Sequence, residues 1–200
     1  ASDVYKRQEP SSFVYYRIAK CYIKINNKKL FIDFIKKSVR EEPGNEKAWI
    51  FLIKYYLKNN NFRQAKYLSS KALINNHNSI KILRLNAVIL KEIGDTREAI
   101  KFYNQILDFK ENLSWKIWKG LLKCLIDNKE WSELLRTSLK AKKHYPNKAF
   151  LDFIISGCLL KNGKINEAIY FYQSGKKTCQ VPEKLIKYFP EFNENKTLLV

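Results

Sequence analysis

Apolar residues recur along this chain at helical spacing. Trp49, Leu52, Ile53 and Tyr56 fall on one stripe of a helix, and Ala65, Leu68, Ala72 and Leu73 fall on another. Turn signals separate such stripes, as in Asn59-Asn60-Asn61, Gly94-Asp95 and Asn162-Gly163. Pro43 and Pro146 each close a pair of stripes, because proline lacks the N–H that would continue a helix. The pattern predicts helical hairpins along nearly the whole chain.

The hairpins repeat. A small residue stands at Ala65, Ala99 and Ala168, with gaps of 34 and 69 residues, and 69 divides into 35 and 34 at Leu134. Self-similarity at this period is the mark of a helical solenoid. Five units follow, at residues 12–45, 46–79, 80–114, 115–148 and 149–182, with one odd residue near Ser114. The eighth place of a unit, in its first helix, faces the twentieth, in its second. Ala87 faces Ala99, and Ser156 faces Ala168. Elsewhere the volumes trade, Ala19 against Phe31 and Ile53 against Ala65, which a core tolerates. The fourth unit instead sets Leu122 against Leu134 and carries Trp115, Trp118 and Trp131, which predicts a wider crossing of its two helices.

These units resemble the tetratricopeptide repeat, whose pattern is Trp, Leu-Gly and Tyr in the first helix, Ala and an aromatic in the second, and a closing proline. The residues that carry the likeness are Trp49, Leu52, Tyr56, Ala65 and Ala72 in one unit. In the next they are Ala87, Ala99 and Tyr103, and in later units Trp118, Pro146, Ala168 and Tyr172. The likeness covers residues 12 to about 178. It implies an all-α fold, a right-handed α-solenoid of about five helix-turn-helix repeats counted as one elongated domain. It also implies a protein–protein interaction scaffold that is not an enzyme.

The ends fall outside the repeats. The sequence contains no methionine, even at residue 1. The chain therefore reads as processed or as a fragment. Residues 1–11 read as a non-native or disordered end, whose first eight residues resemble a translated sequencing-adaptor scar. Residues 183–200 read as a short capping helix and tail. Leu185, Ile186 and Phe189 share a face of a helix over 183–189, and Pro190 stops it.

Charge changes the picture of function. Lys and Arg number 38 against 19 acidic residues, a net charge of +19. That balance suits an anionic partner. Lysine outnumbers arginine 31 to 7, and isoleucine (21) and asparagine (18) are abundant, as in AT-rich coding sequence. Part of the charge is therefore compositional. In the family the resemblance implies, first helices line a concave groove, mainly through places 2, 5, 9 and 13. Eleven of those twenty positions are basic, and only Glu92 and Asp127 are acidic. The partner-binding groove is expected at Lys20, Lys47, Lys54, Lys58, Lys81, Arg84, Lys116, Lys119 and Lys123, with Lys24 and Lys161 completing the basic set. Phe13, Tyr16, Phe150 and Phe153 hold groove places at the two ends and are read as packing positions rather than ligand anchors.

Chemistry beyond binding is not legible. Cys21, Cys124 and Cys158 share the tenth place of their units, which predicts a buried small position. No Cys-x-x-Cys pair points to zinc or redox use, and the cysteine pattern weakly favours a reducing, cytoplasmic setting. His77 and His144 end two units and read as solvated turn residues. No phosphate loop or nucleophile elbow is present, and no cofactor or metal is expected. The lysine–asparagine clamp with which some family members hold chaperone tails is not matched. Places 5 and 9 of the first unit are Tyr16 and Lys20, and the second unit offers Ile50, Lys54 and Phe51. The leading expectation is thus a groove that binds an acidic peptide or protein. The alternatives are single-stranded nucleic acid in the same groove, or the repeat part of a longer enzyme such as a glycosyltransferase.

Overall fold

A computed structural model describes residues 11–109 and 113–194; the expected non-native end at residues 1–11 lies almost wholly outside them. Every regular element among the described residues is a helix, and they alternate as hairpins. The chain divides into two compact units, one up to Asp95 and one from Thr96. The first holds α1 (Ser12–Lys24), α2 (Lys28–Glu41), α3 (Glu46–Lys58), α4 (Phe62–Asn75) and α5 (Ile80–Glu92). The second holds α6 (Thr96–Phe109), α7 (Trp115–Asp127), α8 (Trp131–His144), α9 (Ala149–Lys161) and α10 (Ile165–Lys176). Two single-turn helices, α11 (Glu183–Ile186) and α12 (Glu191–Glu194), end it.

The hairpin turns share one physical cause. The fifteenth residue of each repeat has a positive φ: Asn26 (59°), Asn60 (55°), Gly94 (88°), Lys129 (58°) and Gly163 (71°). The N–H that follows donates back into the finished helix. Asn27 donates to Tyr22, Asn61 to Tyr56, Asp95 to Leu90 and Lys164 to Leu159 at 2.9 Å, and Glu130 donates to Leu125 at 3.0 Å. This left-handed closure satisfies carbonyls that the helix end leaves open, and glycine and asparagine adopt it at least cost. Asn27 and Asn61 then cap α2 and α4, accepting from the N–H groups of Leu30 and Gln64 at 3.2 and 3.1 Å.

Within the first unit, one apolar core runs from Ala19 and Phe31 through Leu52, Ile53 and Ala65 to Ile82 and Ile89, all fully covered. Neutral polar side chains tie its helices. Ser38 Oγ donates to the Ser12 carbonyl at 2.8 Å, and Asn45 Nδ2 donates to Ser12 Oγ at 2.8 Å. Ser69 Oγ donates to Asn86 Oδ1 at 2.8 Å, joining α4 to α5.

The second unit uses a charged tie. Lys142 Nζ of α8 donates to Asp152 Oδ2 of α9 at 2.7 Å, and the Asp152 side chain is only 4% exposed. Ser156 Oγ donates to the Ala168 carbonyl at 2.8 Å across the α9–α10 hairpin. Leu122 and Leu134 are fully buried.

The capping segment differs from the single helix expected over 183–189. That helix stops at Ile186, and Pro190, expected only as a stop, precedes a second turn, α12. Two other expectations are corrected. Cys21 is exposed, because no element among the described residues precedes α1 to cover it, whereas Cys124 and Cys158 are buried. His144 is not a turn residue: it ends α8 and stacks on Trp118, centroids 5.8 Å apart. His77 lies exposed in a turn.

Candidate functional site

The expected groove residues all lie on first helices of their repeats. In the first unit, Lys20 is on α1, Lys47, Lys54 and Lys58 on α3, and Lys81 and Arg84 on α5. In the second, Lys116, Lys119 and Lys123 are on α7. Arg84 is half-buried and the other eight are exposed. Helix geometry explains this. The buried stripe of α3 is Ala48, Trp49, Leu52 and Ile53, so Lys47, Lys54 and Lys58 fall off it. Of the nine, Lys81 alone makes an ion pair among the described residues, at 3.5 Å from Glu46.

The structure brings Lys54 and Lys58 into one pocket. It lies between the end of α1, the start of α2 and the end of α3, and holds about 480 Å³. Ile23, Phe31, Phe51 and Tyr55 make its apolar part, Lys28, Lys54 and Lys58 supply cations, and no acidic side chain lines it. The floor is rigid: Phe31 meets Phe51 edge-on at 5.4 Å and packs on Tyr55 at 4.7 Å.

The equivalent region of the second unit is covered by the chain itself. Phe189 is fully buried with its ring on Gly157, where a Cβ would collide with it. Trp131 lies 5.4 Å from that ring. Lys161 Nζ stands 5.1 Å from the centre of Trp131 and 5.7 Å from that of Phe189, and donates to Glu191 Oε1 at 3.0 Å. Tyr188 donates its hydroxyl to Asp127 Oδ1 at 2.7 Å, and this bond holds the phenol above its ordinary pKa. Phe153, read as a packing position, packs on Tyr172 and Phe192. Tyr16 meets Phe51 at 5.9 Å, whereas Phe13 is 56% exposed.

Sequence reasoning expected a capping segment with Phe189 on its apolar face but missed the seat of that ring on Gly157, a glycine at the ninth place, where the first, second and fourth repeats carry lysine. A second feature was also missed. A groove of about 550 Å³ lies on the second-helix side of the first unit, lined by Lys36, Arg40, Tyr67, Lys71 and Ile74 among others.

Burial pushes the Cys158 thiol up to about 12, so it stays protonated and inert at neutral pH. Among the described residues, no cluster of acidic, histidine and cysteine side chains is placed to hold a metal. No helix among them is long and apolar enough to cross a membrane.

A family model described as tetratricopeptide repeat matches residues 14–45. The helical pairing, with a left-handed residue at one fixed place in every hairpin, extends that pattern through the described chain. The chain thus carries a tetratricopeptide repeat at its start and the fold of such repeats through its described length. Solved structures of the same repeat class superpose over most of it. MamA does so with a TM-score of 0.68 at 14% identity, over 92% of this chain and 95% of MamA. YrrB, described as a tetratricopeptide-repeat protein with an unusual peptide-binding site, gives 0.67 at 14% identity, over 94% of this chain and 89% of YrrB. MamA of Desulfovibrio magneticus RS-1 gives 0.66 at 10% identity, over 84% and 94%. Identities this low speak to the fold. No curated protein matches the sequence.

Proposed function

We propose that this tetratricopeptide-repeat chain is a protein-interaction module whose first helices bind an acidic peptide segment. Lys20, Lys47, Lys54, Lys58, Lys81 and Arg84 serve in the first unit, and Lys116, Lys119 and Lys123 in the second. The observation that carries this reading is the state of these cations. Eight of the nine are exposed, and only Lys81 has an acidic neighbour among the described residues. Their charge is therefore available to a ligand. Exposed lysines steer an anionic partner and hold it by charge-assisted hydrogen bonds, raising the association rate more than the final affinity. The peptide-binding site named for YrrB, a structural neighbour, is in keeping with this class of ligand.

Lysine rather than arginine on these faces disfavours phosphate recognition, which gains from the planar guanidinium fork. The test is fluorescence anisotropy with an acidic peptide pool and a mixed single-stranded RNA, each over a salt series. It compares the native chain with a Lys54→Glu, Lys119→Glu, Lys123→Glu variant. We expect the peptide pool to bind, and the variant to bind it at least about tenfold more weakly, from three lost pairs at up to about 1 kcal/mol each. Equal binding by both proteins would overturn the reading. Preference for RNA with a steep salt slope would replace it with nucleic-acid binding.

A further inference from the structure

The two units can be compared place by place, because the repeats share one numbering. With first places at residues 12, 46, 80, 115 and 149, Lys58 of the first unit holds the thirteenth place, as Lys161 does in the second. Lys28 holds the seventeenth place, as Trp131 does, and Lys54 holds the ninth, as Gly157 does. The region that Phe189 enters is therefore the repeat-equivalent of the 480 Å³ pocket beside α3. In the second unit it takes a phenylalanine ring, with the thirteenth-place lysine over that ring and paired at 3.0 Å with a carboxylate two residues on.

The first-unit pocket keeps most of these parts, but the Lys54 side chain stands where Gly157 admits the ring, so a ring here must seat beside that place, on Phe51 and Tyr55. Lys58 repeats the lysine. Phe51, Tyr55 and Phe31 supply an aromatic floor where the second unit uses the Trp131 indole. Lys54 adds a second cation where Gly157 has no side chain, so this pocket asks more strongly for negative charge. Its volume suits one large side chain with room for flanking atoms.

We infer that this pocket is a recognition slot for a segment of a partner protein that presents a phenylalanine with a carboxylate one or two residues further on. The ring sits on Phe51 and Tyr55, and the carboxylate pairs with Lys58 and Lys54. The chain's own Phe189 and Glu191 display this chemistry in the second unit. The inference deepens the reading of the basic first helices as a peptide-binding surface and rests on it.

The test uses a fluorescein-labelled synthetic peptide copying residues 187–194, added to the full chain. A Lys54→Glu, Lys58→Glu chain, verified as folded by circular dichroism, is the comparison. Binding is expected to fall at least tenfold in that variant. It is also expected to fall at least tenfold for a peptide copy carrying Phe189→Ala, and severalfold for one carrying Glu191→Gln. Equal binding of the Phe189→Ala copy would overturn the slot, because charge alone would then explain the binding. So would binding that ignores Lys54 and Lys58, since the peptide would then be exchanging with the chain's own segment. An aromatic-free acidic peptide is run alongside. If it binds the native chain as well as the copy does, and loses affinity in the Lys54→Glu, Lys119→Glu, Lys123→Glu variant, the slot fails and the wider peptide-binding reading stands. If neither peptide binds, both fall.

Discussion

The first and second units are made from the same repeat, yet they treat equivalent surfaces in opposite ways. In the first, α3 ends in an open pocket rimmed by Lys54 and Lys58, and the ties between helices are neutral Ser and Asn pairs. In the second, α9 carries Gly157 and is covered by the chain's own Phe189, and α8 is tied to α9 by a buried Lys142–Asp152 pair. The backbone does not explain the difference, since both units close their hairpins with the same left-handed residue at the fifteenth place. One side-chain difference accompanies it: glycine at the ninth place of the last repeat leaves the room that Phe189 fills, and Lys54 holds that place in the first unit.

The contrast can be broken, beginning with the buried charge. Lys142→Ala would leave Asp152 uncompensated, with Oδ1 already lacking a partner. It should cost about 3–5 kcal/mol in urea unfolding, whereas replacing both partners by apolar residues should cost far less. If Lys142→Ala leaves the midpoint unmoved, the pair is no structural tie. Next comes the cover itself. Phe189→Ala removes a fully buried ring and should cost about 3 kcal/mol, with Trp131 fluorescence shifting toward that of a solvated indole. Gly157→Leu should give the same signature from the opposite side of the contact; a Leu variant that kept the native Trp131 spectrum would refute the packing. Third, Ala99 holds the twentieth place, which Phe31 fills in the first unit opposite Ala19. Ala99→Leu should destabilise by about 1–3 kcal/mol, because Ala99 is already fully buried. A tolerated leucine would mean that the volume pairing is wrong.

The smallest effect sharpens the backbone half of the comparison. Lys129 is the one fifteenth-place residue that is neither asparagine nor glycine. Lys129→Gly should raise stability by about 1 kcal/mol by relieving a left-handed lysine, offset in part by glycine's greater freedom when unfolded. The same change at Asn60 should gain less, since asparagine already tolerates this conformation.

Much of this molecule was readable from its residues, for local reasons. The turns at Asn60, Gly94 and Gly163 and the buried stripes of α3 and α4 depend on neighbours within one hairpin. The expected groove lysines lie on first helices, and eight of them are exposed, because the same stripe that buries Trp49 and Leu52 turns Lys54 and Lys58 outward. Features that escaped depend on contacts distant in sequence. The docking of Phe189 on Gly157 needs a shape match that no period encodes. Cys21 shares a repeat place with buried cysteines, but α1 has no preceding repeat among the described residues to cover it. The division of the third repeat between two compact units likewise left no mark in composition.

The uneven burial of the cysteines has a practical outcome. Cys124 and Cys158 are sealed, while Cys21 and Cys179 face solvent, one in each unit. A thiol-reactive dye at neutral pH should therefore attach at two points only, without mutagenesis, and fluorescence transfer between them would turn the native chain into a molecular ruler. A ligand that changed the separation of the two thiols would then report its own capture.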